Sequence, residues 1–195
     1  MLDKVEVAAF FDRLAPSWDE GCRHDPEKIA VILDYAGIKA GVSVLDVACG
    51  TGVLFPYYLE RGVKHITGVD ISRGMIERAA AKFTDARLSL LCSDIDALDF
   101  AEPFDRCMVY SSFPHFGDPA RLIEKLSKTL SPGGRLTVAH SESLEEINRR
   151  HREQANKVSV ALLPADVLSG LFARFFAVDV AISNEKMYIV SGIKT

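Results

Sequence analysis

The stretch Val44-Leu45-Asp46-Val47-Ala48-Cys49-Gly50-Thr51-Gly52 decides how the rest of the chain is read. The aliphatic and β-branched run Val42 to Val47 has the composition of a buried parallel strand. It breaks into small residues, and Val53 to Arg61 then has the pattern of a helix. Strand, glycine turn and helix form the first half of a nucleotide-binding βαβ unit, in which glycines let the backbone approach a ligand and the helix N-terminus offers free N–H groups. The dehydrogenase fingerprint requires a third glycine three residues after the second, and Phe55 stands there instead. Asp46 is a carboxylate inside an apolar strand, which hydrophobic patterning does not explain. It is expected to meet a ligand or a polar network at the strand end.

A chain of 195 residues, 48% hydrophobic and 26% charged, is long enough for one domain with a substantial core. No apolar run reaches membrane-spanning length, and the first ten residues lack the basic and apolar regions of a secretory signal. The formal charge of −4 argues against a nucleic-acid partner, which would require concentrated Lys and Arg. Arg149, Arg150 and Arg152 are interleaved with Glu145, Glu146 and Glu153, as on a solvated helix face. Cys22, Cys49, Cys92 and Cys107 show no C-x-x-C spacing, and the last three fall in or beside strands, as reduced thiols do. A cytoplasmic location without membrane attachment is expected.

Outward from the glycine turn, the pattern repeats. Apolar, strand-forming runs recur at His65 to Asp70, Leu88 to Cys92, Phe104 to Tyr110 and Leu136 to His140, separated by helical stretches. Asp70 follows the turn by about the spacing of a ribose-binding acid, and Ser72 is the expected N-cap of the next helix, Arg73 to Phe83. Asp25-Pro26 and Asp118-Pro119 each carry an N-cap acid followed by proline at the first helical position. Ser143-x-x-Glu146 is a capping box, and its helix would place Leu144, Ile147, His151, Ala155 and Val158 on one stripe. Val178 to Ile182 and Met187 to Ile193 flank a polar turn and form a hairpin. The fold class is therefore α/β: a Rossmann-like, doubly wound, seven-stranded sheet, mostly parallel with an antiparallel C-terminal hairpin strand. One domain, 1–195, is expected, with a helical lid or cap over 1–40 and a helical insert over 141–163.

Several of these motifs resemble those of class I S-adenosylmethionine (SAM)-dependent methyltransferases, in particular the ubiquinone/menaquinone-type enzymes acting on small molecules. Asp46-x-x-Cys49-Gly50-Thr51-Gly52 is similar to their first motif, and Val69-Asp70-Ile71-Ser72-x-x-Met75 to their second, with Gly74 where the family commonly has a larger or polar residue. Phe11-Asp12-Arg13-Leu14-Ala15-Pro16-Ser17-Trp18-Asp19 resembles an N-terminal element that folds over the cofactor, with Trp18 in place of a tyrosine. The resemblance implies SAM as cofactor, held by Asp46, Ala48, Cys49, Gly50, Thr51, Gly52, Asp70 at the ribose, Ile71 and Met75, Asp94 and Ile95 at the adenine, and Tyr110 and Trp18. It implies methyl transfer to a small-molecule acceptor, and a final antiparallel strand at the sheet edge. Alternatives are a SAM-binding regulator without turnover and a metal-assisted methyltransferase. Phe55 and Asp46 disfavour a nicotinamide oxidoreductase, and Ser112-Phe113-Pro114-His115 lacks the D/N-P-P-aromatic pattern of amino-methylation of nucleic acids.

On the acceptor side, His115 follows strand four, His140 ends strand five and His151 lies on the apolar stripe of the insert. With Tyr110 they are expected to line one acceptor pocket as catalytic groups, their neutral imidazoles taking a proton from the nucleophile. No dedicated metal-ligand motif is present. His24 and His65 are assigned no role. The acceptor, the methylated atom and the oligomeric state are not encoded in these motifs.

Overall fold

The computed structural model describes residues 2–21 and 24–195. Cys22 lies outside them. Helices α1 (Lys4–Leu14), α2 (Trp18–Gly21) and α3 (Pro26–Tyr35) precede strand β1 (Ser43–Val47). Then follow α4 (Phe55–Glu60), β2 (His65–Asp70), α5 (Arg73–Lys82), β3 (Leu88–Cys92), β4 (Phe104–Tyr110), α6 (Pro119–Thr129), β5 (Leu130–His140), α7 (Leu144–Gln154), α8 (Ala165–Phe172), β6 (Phe176–Ser183) and β7 (Tyr188–Lys194). The seven strands form one sheet in the order β3-β2-β1-β4-β5-β7-β6. Strands β1 to β5 pair in parallel, and β7 is antiparallel to both neighbours. The final strand is antiparallel as expected but does not form the edge, which falls to β6. It lies between β5 and β6, fully buried over Tyr188, Ile189, Val190 and Ser191, because its run is apolar on both faces whereas β6 alternates buried and exposed.

The period-2 alternation of the strands feeds two cores, one on each face of the sheet. Leu45, Val47, Val109 and Val138 meet α6, α7 and α8 through Ile123, Leu126, Ile147, Leu168 and Phe172. Val44, Ile66, Met108 and Ile189 meet α3 and α4 through Ile29, Ile32, Leu33, Phe55 and Tyr58. Each such fully buried side chain contributes about 1.5–3 kcal/mol of transfer free energy.

The helix starts follow local chemistry. Asp3, Asp25, Ser72, Asp118 and Ser143 each accept a first-turn N–H at α1, α3, α5, α6 and α7. Several lengths differ from expectation, and β5 begins at Leu130, six residues before the expected Leu136. The stretch 49–54 is a turn, so α4 begins only at Phe55. α7 ends at Gln154, so Ala155 is its C-cap and Val158 lies beyond it, although Val158 is still buried. No helix among the described residues is long and apolar enough to cross a membrane.

Candidate active site

A cavity opens at the carboxyl ends of β1 to β4, where ligands collect in open α/β sheets. The β1 turn forms its floor. Ala48, Gly50 and Gly52 all have left-handed φ, at 55°, 55° and 85°. For Ala48 this costs about 1–2 kcal/mol, which the surrounding turn must hold. The glycines do different things. A Cβ at Gly50 would meet nothing within 4 Å, so its backbone faces open space. A Cβ at Gly52 would lie 2.5 Å from the Phe55 ring and 2.9 Å from Phe83. Gly52 therefore faces the core and does not line the cavity, a correction to its expected contact with the cofactor. The same ring explains the missing third glycine, since Phe55 fills the space that Gly52 and Gly68 leave, its Cζ 2.7 Å from where a Gly68 Cβ would sit.

Asp70, buried at the end of β2, accepts the Gly50 N–H at 2.8 Å on one carboxylate oxygen and the Ser72 N–H at 2.8 Å on the other. Burial pushes its pKa up to about 6, against these backbone donors. It ties the β1 turn to the start of α5 and keeps further lone pairs for a ligand.

Asp46 is positioned differently from expectation. It is 2% exposed and does not line the cavity. It points into the core on the α4 face, where the Tyr58 hydroxyl lies beside it without reaching full hydrogen-bond geometry. Burial, with Asp70 adding repulsion, pushes it up to about 8, so at neutral pH it is mostly a protonated acid.

Of the other expected cofactor residues, Ala48, Cys49, Thr51, Ile71, Met75, Asp94, Ile95, Tyr110 and Trp18 all line the cavity. Asp94 also caps the short helical turn after β3 and accepts Lys4 Nζ at 2.5 Å, so a loop-capping role is present beside any ligand role. Cys49 and Cys107 are buried free thiols, whereas Cys92 is exposed.

The N-terminal element packs along one side of the cavity through Val7, Phe11 and Trp18. Two acids fasten it. Asp12 accepts the Ser72 hydroxyl at 2.6 Å and the Gly74 N–H at 2.9 Å, and those donors, the hydroxyl first, hold its carboxyl below the usual range. Asp19 accepts the Thr51 hydroxyl at 2.5 Å and Lys82 Nζ at 2.8 Å. The glycine at 74, a departure from the family pattern, has a steric reason. A Cβ there would be 3.0 Å from Ala15 Cβ.

The three histidines do not share the cavity. His115 lines it, but both ring nitrogens are engaged elsewhere, Nδ1 with the Val158 carbonyl at 2.8 Å and Nε2 with His151 Nε2 at 3.3 Å. His151 sits behind it, its Nδ1 on the Ile147 carbonyl at 2.7 Å. His140 is 1% exposed, packs edge-on to Tyr188, and has no partner for Nε2 among the described residues. Burial pushes His115 down to about 4 and His140 to about 3. The expectation that His140 and His151 line the acceptor pocket is thus corrected. The β5 end and the inner face of α7 are buried against the core, and neither side chain reaches the cavity wall. Among the described residues no group of three or more His, Cys, Asp or Glu side chains is arranged to hold a metal ion, so the metal-assisted alternative has no site there. Sequence reasoning passed over His24, which lines the cavity with Nδ1 3.0 Å from the Tyr110 hydroxyl. Its loop carries no motif, and only tertiary folding brings it there.

Comparison with known proteins agrees with this geometry. Residues 44–134 match the family described as "Methyltransferase domain". The malonyl-[acyl-carrier protein] O-methyltransferase of Acetivibrio thermocellus is 30% identical over 142 residues, 71% of this chain and 50% of that protein. The ubiquinone biosynthesis O-methyltransferase of Coxiella burnetii is 31% identical over 144 residues, 69% of this chain and 61% of that protein. The chain thus spans between half and two thirds of the length of these relatives. Its fold is that of the N-methyltransferase NodS from Bradyrhizobium japonicum, solved with S-adenosyl-L-homocysteine (SAH), with a TM-score of 0.73 at 16% identity over 96% of this chain and 98% of that one. With the glycine turn, the strand order and these likenesses together, residues 44–134 carry a methyltransferase domain, and the chain is similar to SAM-dependent methyltransferases.

Proposed function

We propose that the protein transfers a methyl group from SAM to a small-molecule acceptor. The observation that carries this reading is the open backbone at Gly50 beside the anchored Asp70 carboxylate. The residues present fit the cofactor. Asp70 has lone pairs left for two ribose hydroxyls, Ile71 and Ile95 offer apolar faces at the neighbouring strand ends, and Asp94 can accept an amino group. SAM supplies the methyl group on an electrophilic sulfonium. The chain has to align and desolvate the two reactants, and Phe11, Trp18 and Val7 serve the second purpose by closing one side of the cavity. The relatives named above act on small or carrier-bound acceptors according to their names, which supports a small acceptor here. Calorimetry with SAM, SAH and NAD, followed by a metabolite screen with methyl-labelled SAM, tests the proposal. Binding of SAM and label transfer to a small molecule are expected; tighter binding of NAD than of SAM would overturn it.

A further inference from the structure

The cavity has a polar end that no motif marks. His24, just ahead of α3, and Tyr110, at the end of β4, face each other there, ring centroids 5.5 Å apart. The Tyr110 hydroxyl donates to Ser141 Oγ at 3.0 Å. Having one proton, it must accept from His24, whose Nδ1 is 3.0 Å away. That selects the imidazole tautomer with its proton on Nδ1 and a lone pair on Nε2. Lys28 Nζ donates to the Ser141 carbonyl at 3.0 Å and steadies the far end of this chain. A base oriented through one nitrogen by a fixed hydroxyl, its other nitrogen without a partner among the described residues, is the geometry of a general base. His115 lacks it, since its Nδ1 is on a main-chain carbonyl and its Nε2 abuts His151 Nε2 at 3.3 Å.

We infer that His24 is the general base of the acceptor half of the site, with Tyr110 as its positioning residue, and that the acceptor presents an O–H or S–H group. This rests on the methyl-transfer reading above. A neutral amine brings its own lone pair and has no need of such a base before transfer, whereas a hydroxyl or thiol becomes a strong nucleophile only as it loses its proton. As the acceptor atom gives an electron pair to the methyl carbon, the carbon–sulfur bond breaks with its pair left on sulfur. The acceptor's proton passes to His24 Nε2. Burial opposes the resulting imidazolium, as does Arg150, while the Glu142 and Asp19 carboxylates favour it. Among the described residues, the cations lining the cavity, Lys4 and Arg121, lie instead at the β3 side, paired with Asp94 and Asp96. Three strand spacings, about 14 Å, separate β3 from β4.

The test uses 4-nitrophenol, whose ionised form alone is yellow, titrated with the full chain saturated in SAH. In the wild type, the bound dye should ionise at lower pH than free dye. In His24→Asn its midpoint should rise by about one pH unit, a tenfold loss of phenolate at fixed pH. Tyr110→Phe, which releases the tautomer, should move it part of the way, while SAH affinity measured by calorimetry stays within about threefold in His24→Asn. A wild-type midpoint no lower than that of free dye, an equal midpoint in His24→Asn, or loss of SAH binding in that variant would each overturn the assignment. Failure of the wild type to bind SAH would instead sink the cofactor reading.

Discussion

His115 and His151 meet Nε2 to Nε2 at 3.3 Å, each with its Nδ1 on a main-chain carbonyl, of Val158 and Ile147 respectively. Carbonyls only accept, so three hydrogen bonds call for three protons, and two neutral imidazoles carry two. A third proton would satisfy every contact but would bury a cation, and burial keeps His115 down to about 4. The pair therefore joins the turn before α6 to the segment after α7 as a neutral structural clasp, with the Val160 N–H on the Pro114 carbonyl at 2.8 Å beside it.

Acid should loosen this clasp. His115 and His140 have folded-state pKa values of about 4 and about 3, below the ordinary histidine value of 6.5. Between those limits the unfolded chain binds more protons than the folded one, so stability is lost as pH falls below about 6.5, by up to about 1.4 kcal/mol per pH unit for each group. Denaturant unfolding from pH 7.5 to about 4.5 measures the slope. His140→Leu removes a buried nitrogen without a partner, so it should be close to neutral at pH 7.5 and flatten the acid limb. An unchanged limb would show that His140 does not carry its share.

Asp46 should act in the opposite direction. Its folded-state pKa of about 8 lies above the ordinary 3.8, so its contribution is fully present below the lower value and is lost as pH rises through about 8. Asp46→Asn keeps the shape without the charge. It should be more stable than the wild type by a few kcal/mol, roughly, at pH 9 and by less at pH 6. Equal midpoints in urea at the two pH values would contradict a buried, protonated Asp46.

Asp70→Ala should weaken SAM binding by several-fold to about a hundredfold, through loss of two charge-assisted hydrogen bonds of about 1.5 kcal/mol each. It also strands the Gly50 and Ser72 N–H groups, so unfolding must be measured beside calorimetry. In the wild type SAM affinity should fall as pH drops through about 6, where the Asp70 carboxylate takes up a proton. A pH-independent affinity between 5 and about 7.5 would remove the ionised carboxylate from the binding account.

The glycines separate packing from ligand contact. Gly50→Ala adds a methyl toward the open cavity at a left-handed φ, and should lower SAM affinity at a stability cost of about 1–2 kcal/mol. Gly52→Ala should instead act on folding, because its Cβ collides with Phe55 and Phe83. Gly74→Ala gains about 1 kcal/mol of helix propensity yet crowds Ala15. A net loss of thermal stability is expected, and a gain would show that the N-terminal element gives way there.

Strand positions, most helix starts and the identity of the glycine turn were legible in the sequence because they rest on local chemistry: continuous apolar runs, N-cap acids followed by proline, and glycines where φ must be positive. Asp70 and Asp94 at the cavity follow from the same logic, since every parallel strand delivers its last residue to one edge of the sheet. What tertiary structure alone decided is which way each side chain faces once the layers close. Asp46 and Gly52 belong to the motif yet turn into the core, toward Tyr58 and Phe55. His140 and His151, in place by strand order and helix stripe, are sealed from the cavity, while His24, in a loop without a pattern, is brought against Tyr110. Contacts between residues as far apart in the chain as 24 and 110 depend on how layers pack, and no spacing along the sequence records that.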